Sequence, residues 1–484
     1  MRTSLVLLVA FLFRMIALGI KPPHFDEGIN GHFVLQIWRD GFYSYDPTNF
    51  HGPLYFYLLH FAEILWGRSV ESFRIMNALI AVGLVGAVWS LRREVGRVAE
   101  WAAWILAVSP AFVFYGRYAI HESLFVLGQV LFVAGRFRRR SFLTALGAVI
   151  MIATKETFFI FIGTWFIAEF LIGWLERWEL GGARVAEPRE SRWVVVAAVV
   201  LSVTSLLLLF TGFLAKPSGA FDFFKAFDFW SKTGQVGNGH EKEWSYWLML
   251  LARYEWPLLL SLSLVPLVLW RSSSRRVRTL VLAGFGHWLA YTLVPYKTPW
   301  LILGFWPLAF VLGGLIESTS GWVRRVVKPI AISLLAISTW KAYELSFEKF
   351  VDPTEPYVYV QTTADYTNVM AVLKRAVQAR PELRNELVLL LVKEPWPLPY
   401  DMSLFPHLKY VRLEDLAADP SLLERAGLLL IDEDPWNGVR KILKKPMLRM
   451  SFHLRDAYQG GWALFDQEKF KSFVPLGAEV EGAR

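Results

Sequence analysis

Recurrent apolar runs constrain this chain more than any other feature. They occur at about 4–20, 70–91, 99–116, 122–137, 141–155, 157–175, 193–214, 246–270, 278–295, 298–317 and 326–343 of the 484 residues. A helix of about 20 apolar residues crosses the hydrocarbon layer with every backbone group paired internally. The sequence therefore reads as an α-helical polytopic membrane protein of about 11 transmembrane helices, the fourth and fifth being short. A composition that is 55% hydrophobic and 19% charged, with mean hydropathy +0.37, excludes an ordinary soluble enzyme. Among the 22 tryptophans, Trp38, Trp66, Trp101, Trp193, Trp244 and Trp300 sit near the ends of runs, where amphipathic rings meet headgroups.

The net charge of +9 is explained by topology and not by nucleic acid, because the basic residues collect in short loops with no aromatic-interleaved basic surface. Every second loop is basic: Arg92, Arg93 and Arg97; Arg136, Arg138, Arg139 and Arg140; Arg177, Arg184, Arg189 and Arg192; Arg271, Arg275, Arg276 and Arg278; Arg324, Arg325 and Lys328. Those loops are expected in the cytoplasm, together with the amino terminus. Arg2 and Arg14 flank and enter the first run, and no small-residue cleavage site follows, so it reads as an uncleaved helix. There is no cysteine, which removes disulfides and thiolate metal sites.

The organisation that follows is a membrane domain over 1–343 and an extracytoplasmic soluble α/β domain over 344–484. Within the first outer loop, 21–69, the spacing of Ile29, Phe33, Ile37 and Trp38 predicts a helix along the membrane surface. Leu54 to Trp66 predicts a second. In the tail, Leu387 to Val392 and Leu428 to Ile431 read as buried strands and Thr367 to Gln378 as a helix. No internal repeat is visible.

The outer loops hold the unusual residues. His24 to His32 packs Asp26, Glu27, Asn30 and two histidines into nine positions after the first span. Asp26 is the leading candidate for a general base that takes the proton of an acceptor hydroxyl. The alternative is an N-cap, with Glu27 favoured by the helix dipole. Arg117, His121 and Glu122 form a second group: Glu122 and His121 with Asp26 are candidate ligands of a divalent ion (Mg, Mn or Zn), or an Arg-Glu pair that simply ends a helix. Arg117 is a candidate phosphate binder. Lys155-Glu156 interrupts an apolar sequence, where charge is costly unless wet or paired, or marks a turn. Lys297 in the tight loop Tyr296-Lys297-Thr298-Pro299-Trp300 is a further phosphate candidate, or a snorkelling lysine. Gln235 to Glu241 reads as a flexible connector able to close over a substrate.

Taken together, His24-Phe25-Asp26-Glu27, Tyr45-Asp46-Pro47, His51-Gly52-Pro53, Arg117 with His121-Glu122, Ala153-Thr154-Lys155-Glu156-Thr157 and the Tyr296 to Trp300 loop resemble the C-type membrane glycosyltransferases (GT-C fold). That superfamily includes protein mannosyltransferases and lipid A aminoarabinose transferases, and the likeness is to a prokaryotic, flippase-associated branch. It covers residues 1 to about 320, with a weaker echo in Trp396-Pro397-Leu398-Pro399-Tyr400. The resemblance implies transfer of a sugar from a polyprenyl-phosphate donor to a lipid, glycan or protein acceptor outside the cytoplasm. It further implies inversion at the sugar, Asp26 as the general base with Glu27 as the second catalytic residue, and an inner-membrane location. It also implies donor-phosphate binding by Arg117, Lys155 and Lys297, and a substrate pocket with His24, His51, Tyr296 and Trp300. His121-Glu122 stands where relatives carry His-Asp. A lipid-linked sugar transporter or flippase, or a noncatalytic assembly partner, are the competing readings; charges deep in helices and repeated halves, which a transporter would show, are weak here.

Overall fold

The computed structural model describes residues 3–49, 51–179, 190–233, 240–272, 274–455, 460–475 and 477–482. The Gln235 to Gly239 part of the proposed closing loop, and Arg2, Arg184 and Arg189 of the charge pattern, lie outside the described residues. The chain divides into two compact units, Met1–Leu18 with Gln36–Phe350, and Gly19–Leu35 with Val351–Arg484.

The larger unit is helical. Among the described residues, five stretches are long and apolar enough to cross a membrane: Thr3–Ile20, Val70–Val95, Phe158–Trp178, Arg192–Phe210 and Pro299–Ser318. A sixth arises if Arg97–Val108 and Pro110–Arg117, bent by 60°, count as one. The other expected spans fall on shorter or more polar helices, Glu122–Arg138, Ser141–Ile152, Trp256–Arg271, Arg275–Leu293 and Gly321–Tyr343. The two helices expected between the first two long apolar runs are present as α2 (Phe25–Asp40) and α3 (Leu54–Trp66), after α1 (Thr3–Met15).

One carboxylate joins two helix breaks in this unit. Pro110 has no amide hydrogen and disfavours helix before it, so the chain ends one helix at Val108 and begins another with Ser109 as N-cap. The run expected as one helix over 246–270 divides at Glu255, which is fully buried. Its carboxylate accepts the Ser109 hydroxyl and the Ala111 amide, both at 2.7 Å. One break thus supplies the anion that satisfies free amides at the other.

Buried guanidinium groups close the opposite ends. Arg14 on α1 donates to the carbonyls of Leu106 (2.9 Å) and Ala107 (3.0 Å), the last turn of Arg97–Val108. Arg117 donates to Phe13 (3.0 Å) in the last turn of α1 and to Ile16 (2.7 Å) and Ala17 (2.8 Å) just beyond it, and Arg74 donates to Leu18 (2.9 Å). A charged donor at a helix carboxyl end satisfies carbonyls that lipid cannot.

The smaller unit is an α/β fold around a six-stranded sheet in the order β2-β1-β3-β5-β4-β6. The strands are β1 (Leu387–Leu391), β2 (Leu408–Tyr410), β3 (Ala426–Asp432), β4 (Met447–Ser451), β5 (Gly461–Asp466) and β6 (Glu479–Glu481). The first three are parallel, and β5 runs antiparallel to β3 and β4. Parallel strands covered on both faces read as unbroken apolar runs, which is why Leu387 to Leu391 lacks alternation. Val388, Leu390, Leu428 and Leu430 pack with the helix Ala364–Ala379, while Leu389, Leu391, Leu429 and Ile431 pack with Trp436 and Val439 of the helix Glu433–Ile442.

The unit also takes in Gly19–Leu35, which the sequence reading assigned to the membrane domain, and its second segment starts at 351 instead of 344. Hydrogen bonds explain this: the Gln361 amide reaches the Pro22 carbonyl (3.0 Å), the Thr362 hydroxyl reaches Pro23 (2.5 Å), and His24 bridges Gln361 in a short antiparallel pair. On α2, Gly28 and Gly31 face Pro397 and Tyr400 so closely that a Cβ at either would collide with them. The Trp396 to Tyr400 motif is therefore the surface on which the start of α2 is seated.

Candidate active site

Asp26 and Glu27 occupy the first turn of α2, and the structure separates their duties. Glu27 is fully buried, and its carboxylate accepts the His24 amide at 2.8 Å, the reach-back of a third-position glutamate that closes a helix start. Asp26 has a side chain 28% exposed, 4.0 Å from the His24 ring, and its carboxylate accepts no hydrogen bond from the described residues. The capping expected as the alternative role of Asp26 is carried by Glu27. His24 is fixed on both sides: Nδ1 accepts the Asp26 amide (3.2 Å) and Nε2 donates to the Tyr359 carbonyl (2.8 Å), which selects the neutral tautomer.

In the helical unit, three of the motifs come together. The amides of Gly52 and Leu54 donate to the carbonyls of Thr154 (3.1 Å) and Ala153 (2.9 Å), and a Cβ on Gly52 would strike the Ala153 carbonyl. Only glycine lets the two loops touch there. The clasp places His51 beside Glu156, Nδ1 to Oε2 3.0 Å, and beside the His121 ring, centroids 4.5 Å apart. Lys155 pairs with Glu122, both side chains nearly buried. Burial raises the Glu156 carboxyl, but His51 and Lys155 outweigh that and hold it below the usual range. His121 is pushed well below the ordinary histidine value by burial, then by His51 and Lys155.

The other candidates are placed as follows. Arg117 has both Nη atoms on carbonyls at the carboxyl end of α1, its guanidinium 4.4 Å from the Phe347 ring, and its Nε without a hydrogen-bond partner among the described residues. Lys297, 1% exposed, donates to the carbonyls of Lys242 and Val294, and among the described residues no carboxylate lies within 4 Å of it. Burial lowers its pKa, partly opposed by Glu243. Tyr296 meets His240 edge-on at 5.2 Å, and Trp300 meets Tyr115 at 6.2 Å. Tyr45-Asp46-Pro47 is a turn, with Asp46 accepting the Thr48 amide (2.9 Å) and hydroxyl (2.7 Å).

Among the described residues no three of His, Asp and Glu gather as a metal site. Of the residues suggested for a divalent ion, Glu122 is paired with Lys155. Sequence reading missed Asn77, fully buried, which accepts the Tyr55 hydroxyl (3.1 Å) and donates to the Tyr115 carbonyl (3.2 Å). The signal was present, since an amide inside an apolar run is expensive unless bonded.

No family profile and no curated protein matches the sequence. Solved structures do match. ArnT from Cupriavidus metallidurans bound to undecaprenyl phosphate superposes with a TM-score of 0.64 at 12% identity, covering 95% of this chain and 97% of that one. The same protein in the apo state gives 0.60 at 13% identity, covering 95% and 96%. The chain thus shares, over nearly its whole length, the fold of ArnT.

Proposed function

We propose that this protein is a membrane glycosyltransferase that moves a sugar from a polyprenyl-phosphate donor to an extracytoplasmic acceptor. The observation that carries the reading is the division of labour at α2: Glu27 closes the helix, and Asp26 keeps a partly exposed carboxylate with no acceptor duty among the described residues. Support comes from the shared fold with ArnT, solved with undecaprenyl phosphate bound.

In this scheme Asp26 takes the proton of the acceptor hydroxyl as that oxygen attacks the anomeric carbon from the face opposite the phosphate. The new C–O bond forms, the sugar–phosphate C–O bond breaks with inversion, and the polyprenyl phosphate leaves with the electron pair. Charge developing on that phosphate needs fixed cations. Lys297, buried against carbonyls alone, is the first choice, and Lys155 the second because Glu122 already neutralises it. Arg117 acts through the helix end it closes.

The test is the purified protein in vesicles doped with a panel of polyprenyl-phosphate hexoses and pentoses, with lipid products followed by mass spectrometry. Release of free polyprenyl phosphate together with a new glycoside is expected for one donor. Translocation of an intact donor with no cleavage would overturn the reading in favour of a flippase.

A further inference from the structure

A cavity of about 560 Å³ opens in the α/β unit, within the range of small-ligand sites. Its walls follow directly on the carboxyl ends of the three parallel strands: Lys393 and Glu394 after β1, Arg412 after β2, Asp432 and Asp434 at the end of β3, with Arg455 closing one side. The connection after β1 runs to β2 on one side and the connection after its neighbour β3 runs to β4 on the other, and ligands of open α/β sheets collect at that kind of crevice.

The lining says what class of ligand would fit. Lys393, Arg412 and Arg455 balance Glu394, Asp432 and Asp434, so the crevice carries no excess positive charge for a phosphate or nucleotide. Two of its acids are held in place: Asp432 accepts the Lys393 amide at 2.7 Å, and Glu394 meets the Arg455 guanidinium at 2.9 Å. Fixed carboxylate acceptors interleaved with cationic donors, over apolar walls, match vicinal hydroxyls and the C–H faces of a sugar ring.

The crevice also adjoins the turn that holds Asp26. The Arg455 guanidinium lies 4.6 Å from the ring of Phe25, the residue before Asp26. Backbone bridges continue the link, Arg455 to Thr362 and Gln361 to His24. We infer that this crevice is the acceptor site, receiving an uncharged polyhydroxylated ligand, the sugar unit of a glycan or of a glycolipid. The inference rests on the transferase reading for the word acceptor, but the binding it claims can be measured without any donor.

The experiment is saturation-transfer NMR on the full chain in detergent micelles. The probes are methyl glycosides of mannose, glucose, galactose and N-acetylglucosamine, the same sugars as glycolipids in the micelle, and inorganic pyrophosphate as an anionic competitor. At least one sugar should receive saturation, pyrophosphate should not displace it, and Asp434→Ala or Arg412→Ala, both exposed, should weaken it about tenfold through loss of a charged hydrogen bond. Binding of free glycosides points to a soluble glycan, and binding of glycolipids alone to a lipid headgroup. No saturation in either arm, displacement by pyrophosphate, or unchanged binding in both variants would overturn the assignment, whatever the transfer assay shows.

Discussion

The clasp of the helical unit and the start of α2 treat charge in opposite ways. Around Gly52 and Thr154 nearly every ionisable group meets another: Lys155 with Glu122, His51 with Glu156. At α2 one acid is buried and bonded while its neighbour is left partly open to solvent. The contrast teaches that a polar cluster in an apolar chain is first a solution to desolvation, and that the group not needed for that solution is the better candidate for chemistry.

The largest way to break this comparison is Lys155→Ala. A buried ion pair that loses one partner leaves an uncompensated charge, and about 3–5 kcal/mol of stability should be lost. Lys155→Met with Glu122→Leu should recover most of it, as read by thermal unfolding in detergent; an equal loss in the double variant would mean the pair is not acting as a unit. Next comes Glu255→Ala, which strips two bonds to a charged acceptor and should cost about 2–3 kcal/mol. Glu255→Gln, which keeps an acceptor oxygen, should cost less, measured in the same melts.

A smaller effect is the pH dependence of the clasp. The folded state holds His121 well below its ordinary value, so the unfolded chain takes up its proton first. This contribution is fully present above about pH 6.5 and declines as pH falls below it. His121→Phe should flatten the melting temperature over that window, and an unchanged slope would assign the acid sensitivity to other groups. The smallest effect is Glu27→Ala, expected to cost about 1 kcal/mol as the loss of a helix-start bond.

Much of this fold was legible because apolar runs of membrane length and unbroken leucine strands have few alternative structures. All eleven runs lie on helices, and Leu54 to Trp66 is a helix with the expected bounds. Less legible was anything depending on a distant partner. Nothing local to Glu255 tells that it closes a helix start at Ser109, or that residues 19–35 hydrogen-bond to Gln361 and Thr362 and form a compact unit with the tail. At the candidate site, charge type alone could not divide roles. Asp26 is the leading candidate in the sequence, and the burial and bonding of Glu27 beside a partly exposed Asp26 add a physical ground for that choice. Arg117 has the chemistry of a phosphate binder, yet its neighbours are helix-end carbonyls.

The most direct measurement pairs Asp26→Asn with Glu27→Gln in one preparation, recording sugar transfer and melting temperature for each. The account expects Asp26→Asn to lose about 100- to 10,000-fold in transfer, the range for a general base, with its melting temperature unchanged. Glu27→Gln should lower stability and retain measurable transfer. Full transfer by Asp26→Asn, or a melting temperature that falls with it as far as activity does, would contradict the assignment of Asp26 as the base.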